Sequence, residues 1–131
     1  DGRFAGTPLN EGCSPTQGSD TSGPTAVINS VAKLPNEQVA AGQLLNMRFS
    51  PGALAGEENL DKFVDFLIAS AKKHIYHNQF NVIDSTTLRD AQKHPQDYTD
   101  LIVRVAGYCA QFVSLMPEAQ EAIIARTENA W

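Results

Sequence analysis

Apolar positions recur at helical intervals in the segment that begins with Glu57 and Glu58. They fall at i, i+3, i+4, i+7 and i+11, as Leu60, Phe63, Val64, Leu67 and Ala71. This spacing predicts an amphipathic helix whose apolar side faces a core. Lys72 and Lys73 come near its predicted end, where positive charge suits the negative pole of the helix dipole.

Three shorter helices are predicted from proline and capping signals. They open at Pro24, at Asp84 or Ser85, and at Pro117, and the second of them ends before Pro95. The residues at helical spacing are Val27, Val31 and Leu34 in the first helix and Ala119, Ile123 and Arg126 in the last.

Three apolar runs, at 43–49, 79–84 and 101–107, predict short strands that alternate with the helices. Such alternation predicts an α/β fold. Three short strands are too few to close a domain, so we expect the chain to pack against a larger body. Segment 1–25 holds five of the nine glycines and three of the seven prolines, which predicts a connecting loop before a single domain at 26–131.

The composition is typical of a globular protein, with 42% apolar and 19% charged residues in a chain of 131. A formal net charge of -5 and scattered basic residues argue against nucleic acid and anionic membranes as partners. No apolar run approaches the roughly 20 residues that cross a bilayer. The N-terminal residues also lack the pattern of a signal peptide, so we predict a cytoplasmic chain.

Most of the other candidate chemistry in the sequence is weak. Cys13 and Cys109 are far apart and predict neither a disulfide framework nor a zinc site. His74 and His77 lack a further set of ligands, so we predict no metal site. The glycine-rich N-terminal segment has neither phosphate-binding fingerprint, and its serines have no triad partner at a diagnostic spacing.

Gly107 is the exception, because it follows an apolar run and is the only glycine after Gly56. Local physics predicts a turn or a bulge at such a position. The residues around it indicate more than a turn.

The segment Arg104-Val105-Ala106-Gly107-Tyr108 resembles the RV[SA]GY signature of the glycyl radical enzymes. Further segments resemble, in order, the C-terminal region of the dehydratase and lyase branch of that family, namely 14–27, 44–49, 79–84, 88–108 and 123–127. The branch includes glycerol and propanediol dehydratases, choline trimethylamine-lyase and isethionate sulfite-lyase. The resemblance covers essentially the whole chain.

This resemblance implies a glycyl-radical domain of short strands and helices that packs into a larger ten-stranded β/α barrel. Gly107 would store the radical, and Arg104, Val105, Ala106 and Tyr108 would form the segment recognised by a radical-SAM activating enzyme. SAM and an iron–sulfur cluster would belong to that activating enzyme and not to this chain. The full enzyme would be a homodimer in the cytoplasm, with a bacterial microcompartment left open as its location.

Glycine suits this role because a radical at a backbone Cα is stabilised when it is planar with both neighbouring peptide units. A β-carbon would crowd that plane. We expect the flanking apolar residues to give Gly107 a dry, packed setting. A buried glycine cannot reach an activating enzyme, so we also expect the loop after the strand at 101–107 to swing out with the helix at 117–127 attached.

The family's catalytic cysteine and glutamate occur as Cys-x-Glu in the barrel, upstream of the region that this chain resembles. Cys13-Ser14-Pro15 lacks that glutamate, and we predict a packing role for Cys109. The chain alone would therefore not complete catalysis.

Three alternatives remain open at this stage. The chain is the radical-carrying part of a lyase or dehydratase, a free-standing spare part that restores an oxygen-damaged enzyme, or a non-catalytic interaction module. Segments 40–49 and 74–82 favour similarity to isethionate sulfite-lyase, with a diol dehydratase as the competitor.

Overall fold

The computed structural model describes residues 2, 4–7 and 9–131. These residues form four α-helices and five short strands, joined in part by single 3₁₀ turns. The helices are α1 (Pro24–Val31), α2 (Glu57–Lys72), α3 (Ser85–Lys93) and α4 (Pro117–Ile124), and the strands are β1 (Leu44–Phe49), β2 (His77–Val82), β3 (Ile102–Arg104), β4 (Cys109–Gln111) and β5 (Glu128–Asn129).

The predicted helix starts are confirmed. Pro24 and Pro117 each occupy the first turn of their helix, where a missing N–H costs nothing. Asp84 is the residue that caps α3, since its Oδ1 accepts the Thr87 N–H at 2.6 Å. The last helix ends at Ile124, three residues earlier than predicted.

β1 lies at the centre of a three-stranded parallel sheet in the order β2-β1-β5. It pairs with β2 from Leu44↔His77 to Phe49↔Val82, and α2 forms the connection between these two strands. The strand predicted at 79–84 is therefore shifted by two residues, although the Ile83 N–H still donates to the Phe49 carbonyl at 3.2 Å. A parallel sheet with helical connections confirms the predicted α/β class.

The apolar face of the sheet packs against α1 and α2. Phe49 is fully buried, and its ring centroid lies 5.5 Å from that of Phe63 and 5.8 Å from that of Phe66. The predicted buried face of α2 is wrong in part, because Leu60 and Val64 are 49% and 51% exposed. Helix α2 has apolar residues on two faces, and the sheet takes the one whose phenylalanines meet Phe49.

β3 and β4 form a separate antiparallel hairpin with Ile102 opposite Gln111 and Arg104 opposite Cys109. Its base is anchored in a second apolar cluster, where Val103 and Phe112 are buried with residues of α3 and α4. The single strand predicted at 101–107 is therefore wrong, since β3 ends at Arg104 and the chain turns back into a strand that the pattern did not predict.

The N-terminal segment lies along β1. The Cys13 N–H donates to the Leu44 carbonyl at 2.9 Å, and the Asn46 N–H donates to Ser14 Oγ at 2.8 Å. Gly12 sits so close that a Cβ there would lie 2.2 Å from the Leu44 oxygen, so only glycine fits. The loop boundary at residue 25 stays a prediction. Within the part of the chain described, no helix is long and apolar enough to cross a membrane.

Candidate functional site

Gly107 lies at the tip of the β3–β4 hairpin. The Val105 N–H donates to the Tyr108 carbonyl at 2.9 Å, which leaves Ala106 and Gly107 as the two turn residues. Gly107 has φ 76°, a left-handed conformation that costs other residues roughly 1–2 kcal/mol. A Cβ on Gly107 would meet no atom within 4 Å, so the backbone conformation and not a lack of space favours glycine. The local prediction of a turn is confirmed.

The tip is open to solvent. Gly107 is exposed and Tyr108 is 54% exposed, while Val105 and Ala106 are half-buried. The packed, dry setting expected around Gly107 is therefore not formed by the described residues of this chain. The reason is that the hairpin rests on the sheet through one face only.

The face of the sheet beneath the hairpin is polar and buried. In β1 and β2 the side chains alternate, so Asn46 and Arg48 lie on the face opposite Phe49, beside Gln79 and Asn81 of the neighbouring strand. All four polar residues are at least 90% buried. Buried polar groups need hydrogen-bond partners. The hairpin backbone supplies partners to Asn46, Gln79 and Asn81, whereas Arg48 bonds to the segment after α4.

Two residues of β2 hold the hairpin. Gln79 Oε1 accepts the Gly107 N–H at 3.1 Å. Asn81 makes a matched pair of bonds with Arg104, since its Oδ1 accepts the Arg104 N–H at 2.7 Å and its Nδ2 donates to the Arg104 carbonyl at 2.8 Å. These bonds fix the end of β3 and the tip against the sheet.

Arg126 completes this attachment from the segment after α4. Its Nη1 donates to the Arg104 carbonyl at 2.8 Å, and its Nη2 donates to the Val105 carbonyl at 2.5 Å. Glu11 pairs with the same guanidinium at 2.5 Å and neutralises it in its buried position. Asn46 adds a longer bond of 3.4 Å to the Val105 carbonyl. We call Asn46, Gln79, Asn81 and Arg126 the hairpin clamp.

Arg48 supports the clamp from below. Its Nη2 donates to the Arg126 carbonyl at 2.6 Å and to the Ile124 carbonyl at 3.2 Å, which fixes the backbone that carries the Arg126 side chain. Burial lowers the pKa of Arg48, and the carboxylate of Glu128 at 3.7 Å partly opposes that shift. Arg48 therefore holds the backbone of Arg126, and the side chain of Arg126 in turn holds the hairpin.

The side chain of Arg104 points away from the clamp, and its Nη1 lies 3.1 Å from Cys109 Sγ. Cys109 is exposed in this chain, on a strand that pairs only with β3, so the packing role predicted for it stays a prediction.

Sequence reasoning missed the hairpin clamp as a site. The available signal was a pair of polar residues at i and i+2 in each of two segments, Asn46 and Arg48 in the apolar run at 44–49 and Gln79 and Asn81 in the mainly polar segment at 77–82. Such alternation is typical of a strand face in water, whereas here that face is covered by the hairpin.

Residues 9–113 match the model of the glycine radical family. This is most of the chain, and the chain belongs to that family. The resemblance inferred from its motifs is thereby confirmed.

Relatives at 44–50% identity include proteins with dehydratase, lyase and decarboxylase names. The chain is 50% identical over 130 residues to the probable dehydratase YbiW of Escherichia coli, covering 98% of this chain and 16% of that protein. It is 44% identical over 130 residues to isethionate sulfite-lyase of Desulfovibrio desulfuricans, with the same coverage of 98% and 16%.

The fold agrees with that of a solved family member. The B12-independent glycerol dehydratase of Clostridium butyricum, in a glycerol-bound form, matches with a TM-score of 0.95 at 49% identity, covering 100% of this chain and 17% of that one. The chain thus spans about one sixth of the length of these relatives (16% of the two curated proteins).

Proposed function

We propose that this chain is the radical-carrying part of a glycyl radical lyase or dehydratase and that Gly107 stores the radical. The observation that carries the proposal is the position of Gly107, which is exposed at a hairpin tip inside the segment that matches the glycine radical family. The dehydratase and lyase names of the relatives support cleavage of a bond between carbon and oxygen or sulfur. Cleavage of a carbon–nitrogen bond rests on the family resemblance alone.

The residues at the tip suit removal of a hydrogen atom from the Gly107 Cα. Apart from Gly107 and its two neighbours in the chain, no described residue has an atom within 4 Å of the position that a Cβ would take, so one side of the glycine is open to an approaching reagent. Arg104, Val105, Ala106 and Tyr108 surround the glycine and would be contacted by the activating enzyme, which supplies SAM and an iron–sulfur cluster. When present, the radical at Gly107 takes a hydrogen atom from a cysteine thiol of the barrel and leaves the unpaired electron on that sulfur.

A barrel partner is supported by apolar surface left uncovered in this chain. Leu60, Val64 and Ile68 lie along one face of α2 and are between 47% and 51% exposed. Ile102 and Tyr108 of the hairpin are 56% and 54% exposed. Exposed apolar rows such as the one on α2 mark a contact with another part of a protein, and the exposed apolar residues of the hairpin add to it on the other face of the sheet. We propose that the barrel covers it and also provides the dry setting that the chain itself does not give Gly107.

Activation requires the hairpin to leave that setting. The base of the hairpin shares its apolar cluster with Ile123 of α4 and with Leu88 of α3, so a swing of the hairpin with α4 attached must also separate both from α3. We expect residues 100–115 to exchange amide hydrogens faster than β1 in the resting enzyme. Exchange as slow as that of β1 would contradict this part of the proposal.

The test is activation of the whole enzyme without oxygen, with its activating enzyme and SAM, followed by EPR spectroscopy. We expect a doublet signal that is absent in Gly107→Ala. The matched control is Gly56→Ala, because Gly56 has φ 80° and equally open surroundings but lies at the start of α2. Because Gly56 is not the proposed radical site, the doublet should persist in Gly56→Ala. A doublet that survives in Gly107→Ala would overturn the assignment.

A second measurement uses oxygen. A radical at Gly107 should lead to cleavage of the chain at that residue when the activated enzyme meets air, and mass spectrometry of the fragments gives the position of the break. An activated enzyme that stays intact at Gly107 in air would count against this assignment.

A further inference from the structure

Gln79 is the one clamp residue that contacts the glycine itself. Its side chain is 94% buried beneath the hairpin tip, since its relative exposure is 6%, and its Oε1 accepts the Gly107 N–H at 3.1 Å. The other clamp residues bond to the backbone of Arg104 and Val105, at the stem of the hairpin. Loss of Gln79 therefore affects the peptide group at position 107 directly, whereas loss of the others affects the attachment of the stem.

The orientation of the Gln79 amide follows from the Gly107 N–H, which can only donate and therefore faces the amide oxygen. The amide nitrogen then lies 3.2 Å from His77 Nε2, two residues earlier on the same strand. It donates to that ring nitrogen in the tautomer of His77 that carries its proton on Nδ1.

We propose that Gln79 is a positioning residue for the Gly107 radical, an inference that rests on the proposed function. By accepting the Gly107 N–H it holds the 106–107 peptide plane in one orientation relative to the Cα. It also makes the amide nitrogen a better electron donor to an electron-poor Cα, because a hydrogen bond from N–H shifts electron density towards nitrogen. Gln79 thus sets both the geometry and the electron distribution of the radical, without touching the reacting Cα hydrogen.

Two variants separate this role from simple packing. Gln79→Leu keeps the approximate volume and removes the acceptor, whereas Gln79→Glu keeps an acceptor oxygen at the same reach. Asn81→Leu is the matched control, because Asn81 is an amide on the same strand and face that bonds to Arg104 and not to Gly107. All three are made in the whole enzyme beside Gly107→Ala.

The first readout precedes activation and needs no radical. Hydrogen exchange of the Gly107 amide, resolved by mass spectrometry of fragments that end on either side of it, should be roughly tenfold faster in Gln79→Leu, as expected for loss of one hydrogen bond. Gln79→Glu should exchange like the wild type. Exchange at Gly107 that is unchanged in Gln79→Leu would overturn the inference, whatever the fate of the radical.

The second readout follows activation. Electron–nuclear double resonance measures the coupling of the unpaired electron to the exchangeable N–H proton and to the nitrogen of Gly107. These couplings should change in Gln79→Leu and stay near the wild-type values in Gln79→Glu and Asn81→Leu. A merely structural role would lower the amount of radical without changing the couplings, and that result would also overturn the inference.

The outcomes distinguish the two proposals. If the wild-type doublet is present, absent in Gly107→Ala and identical in shape and couplings in Gln79→Leu, the proposed function stands and the positioning role is wrong. If a competent activating enzyme gives no doublet in the wild type, the proposed function fails and the positioning role fails with it, even where the exchange result agrees.

Discussion

β1 and the β3–β4 hairpin are both rich in apolar residues, yet they are held in place by different forces. β1 is paired on both edges, and Leu45 and Phe49 are fully buried beneath α1 and α2. The hairpin has three residue pairs, and its tip is held through backbone bonds to the clamp. β1 is thus part of a scaffold held by apolar packing, whereas the outer half of the hairpin is held by hydrogen bonds that water can replace.

This difference matters energetically because the two kinds of attachment respond differently to opening. Apolar side chains such as Phe49 form no hydrogen bonds with water, so exposing them costs free energy in proportion to the apolar surface area exposed. The hairpin carbonyls and the clamp amides can bond to water instead, and each such exchange costs only about 0.5–1.5 kcal/mol. The hairpin can therefore leave the sheet while the sheet itself stays folded.

The largest effect is expected at Phe49, at the centre of the scaffold. Its ring lies 5.4–5.9 Å from four other aromatic rings, so Phe49→Ala leaves a large cavity. We expect a loss of about 4 kcal/mol in the free energy of unfolding, measured by urea denaturation of the 131-residue chain. Val82→Ala, at an exposed strand end, should cost less than about 1 kcal/mol. Equal losses in both variants would contradict the scaffold role of Phe49.

A smaller and more local effect is expected at Arg126. Arg126→Met removes the guanidinium that pairs with Glu11 and one of the two donors to each of the Arg104 and Val105 carbonyls, which should cost about 3 kcal/mol. In the whole enzyme, Arg126→Met should increase the rate of amide hydrogen exchange in the hairpin and leave the rate in β1 unchanged. Arg89→Met is the control, because Arg89 pairs with Glu121 at the surface. An equal increase in exchange rate in the sheet and in the hairpin would contradict the view that the two regions are held separately.

The next effect concerns α3, beneath the base of the hairpin. Asp84→Ala should cost about 1 kcal/mol through loss of the cap. The bond from the Thr87 N–H lowers the pKa of Asp84. A lowered pKa means that the carboxylate stabilises the fold above its ordinary pKa and loses that effect as the pH falls through the lower, folded value.

The stability gap between wild type and Asp84→Ala, followed by urea denaturation from neutral to acid pH, should therefore narrow in acid. Asp84→Asn keeps a capping oxygen that does not titrate, so its gap from Asp84→Ala should stay constant. A wild-type gap that is independent of pH would contradict the assignment of the cap to the ionised carboxylate.

The smallest effect compares one cysteine from each region. Cys13 is half-buried against β1, and this burial raises the pKa of its thiol. Cys109 is exposed on β4. Because the thiolate is the reactive form, iodoacetamide should label Cys109 faster than Cys13 in the folded chain, as measured by mass spectrometry. If Cys13 and Cys109 are labelled at the same rate in the folded chain as well as in the denatured chain, the expected difference in reactivity between the two cysteines is contradicted.

Much of the fold was predictable because its signals are local. Proline at the first turn and a capping aspartate act within three or four residues, so Pro24, Pro117 and Asp84 place helix starts without reference to the rest of the chain. Gly107 at a turn is local in the same sense. The assignment of the chain to the glycine radical family also needs only the motifs and their order along the chain.

The face of α2 that is buried could not be predicted in the same way. Periodicity predicts that some face is buried, but α2 has two apolar faces, and the choice depends on the shape of the sheet around Phe49. The same holds for the polar face of β1 and β2, which looks like a face in water until the hairpin is placed on it.

The sequence by itself determined the class of fold, the helix starts, the turn at Gly107 and the family. Only the tertiary structure decided which side chains hold that turn, because Gln79 reaches Gly107 across 28 residues and Asn46 reaches Val105 across 59. Contacts over such separations follow from how the sheet, the hairpin and the segment after α4 pack together. A buried amide or guanidinium takes whatever partner that packing brings within hydrogen-bond distance.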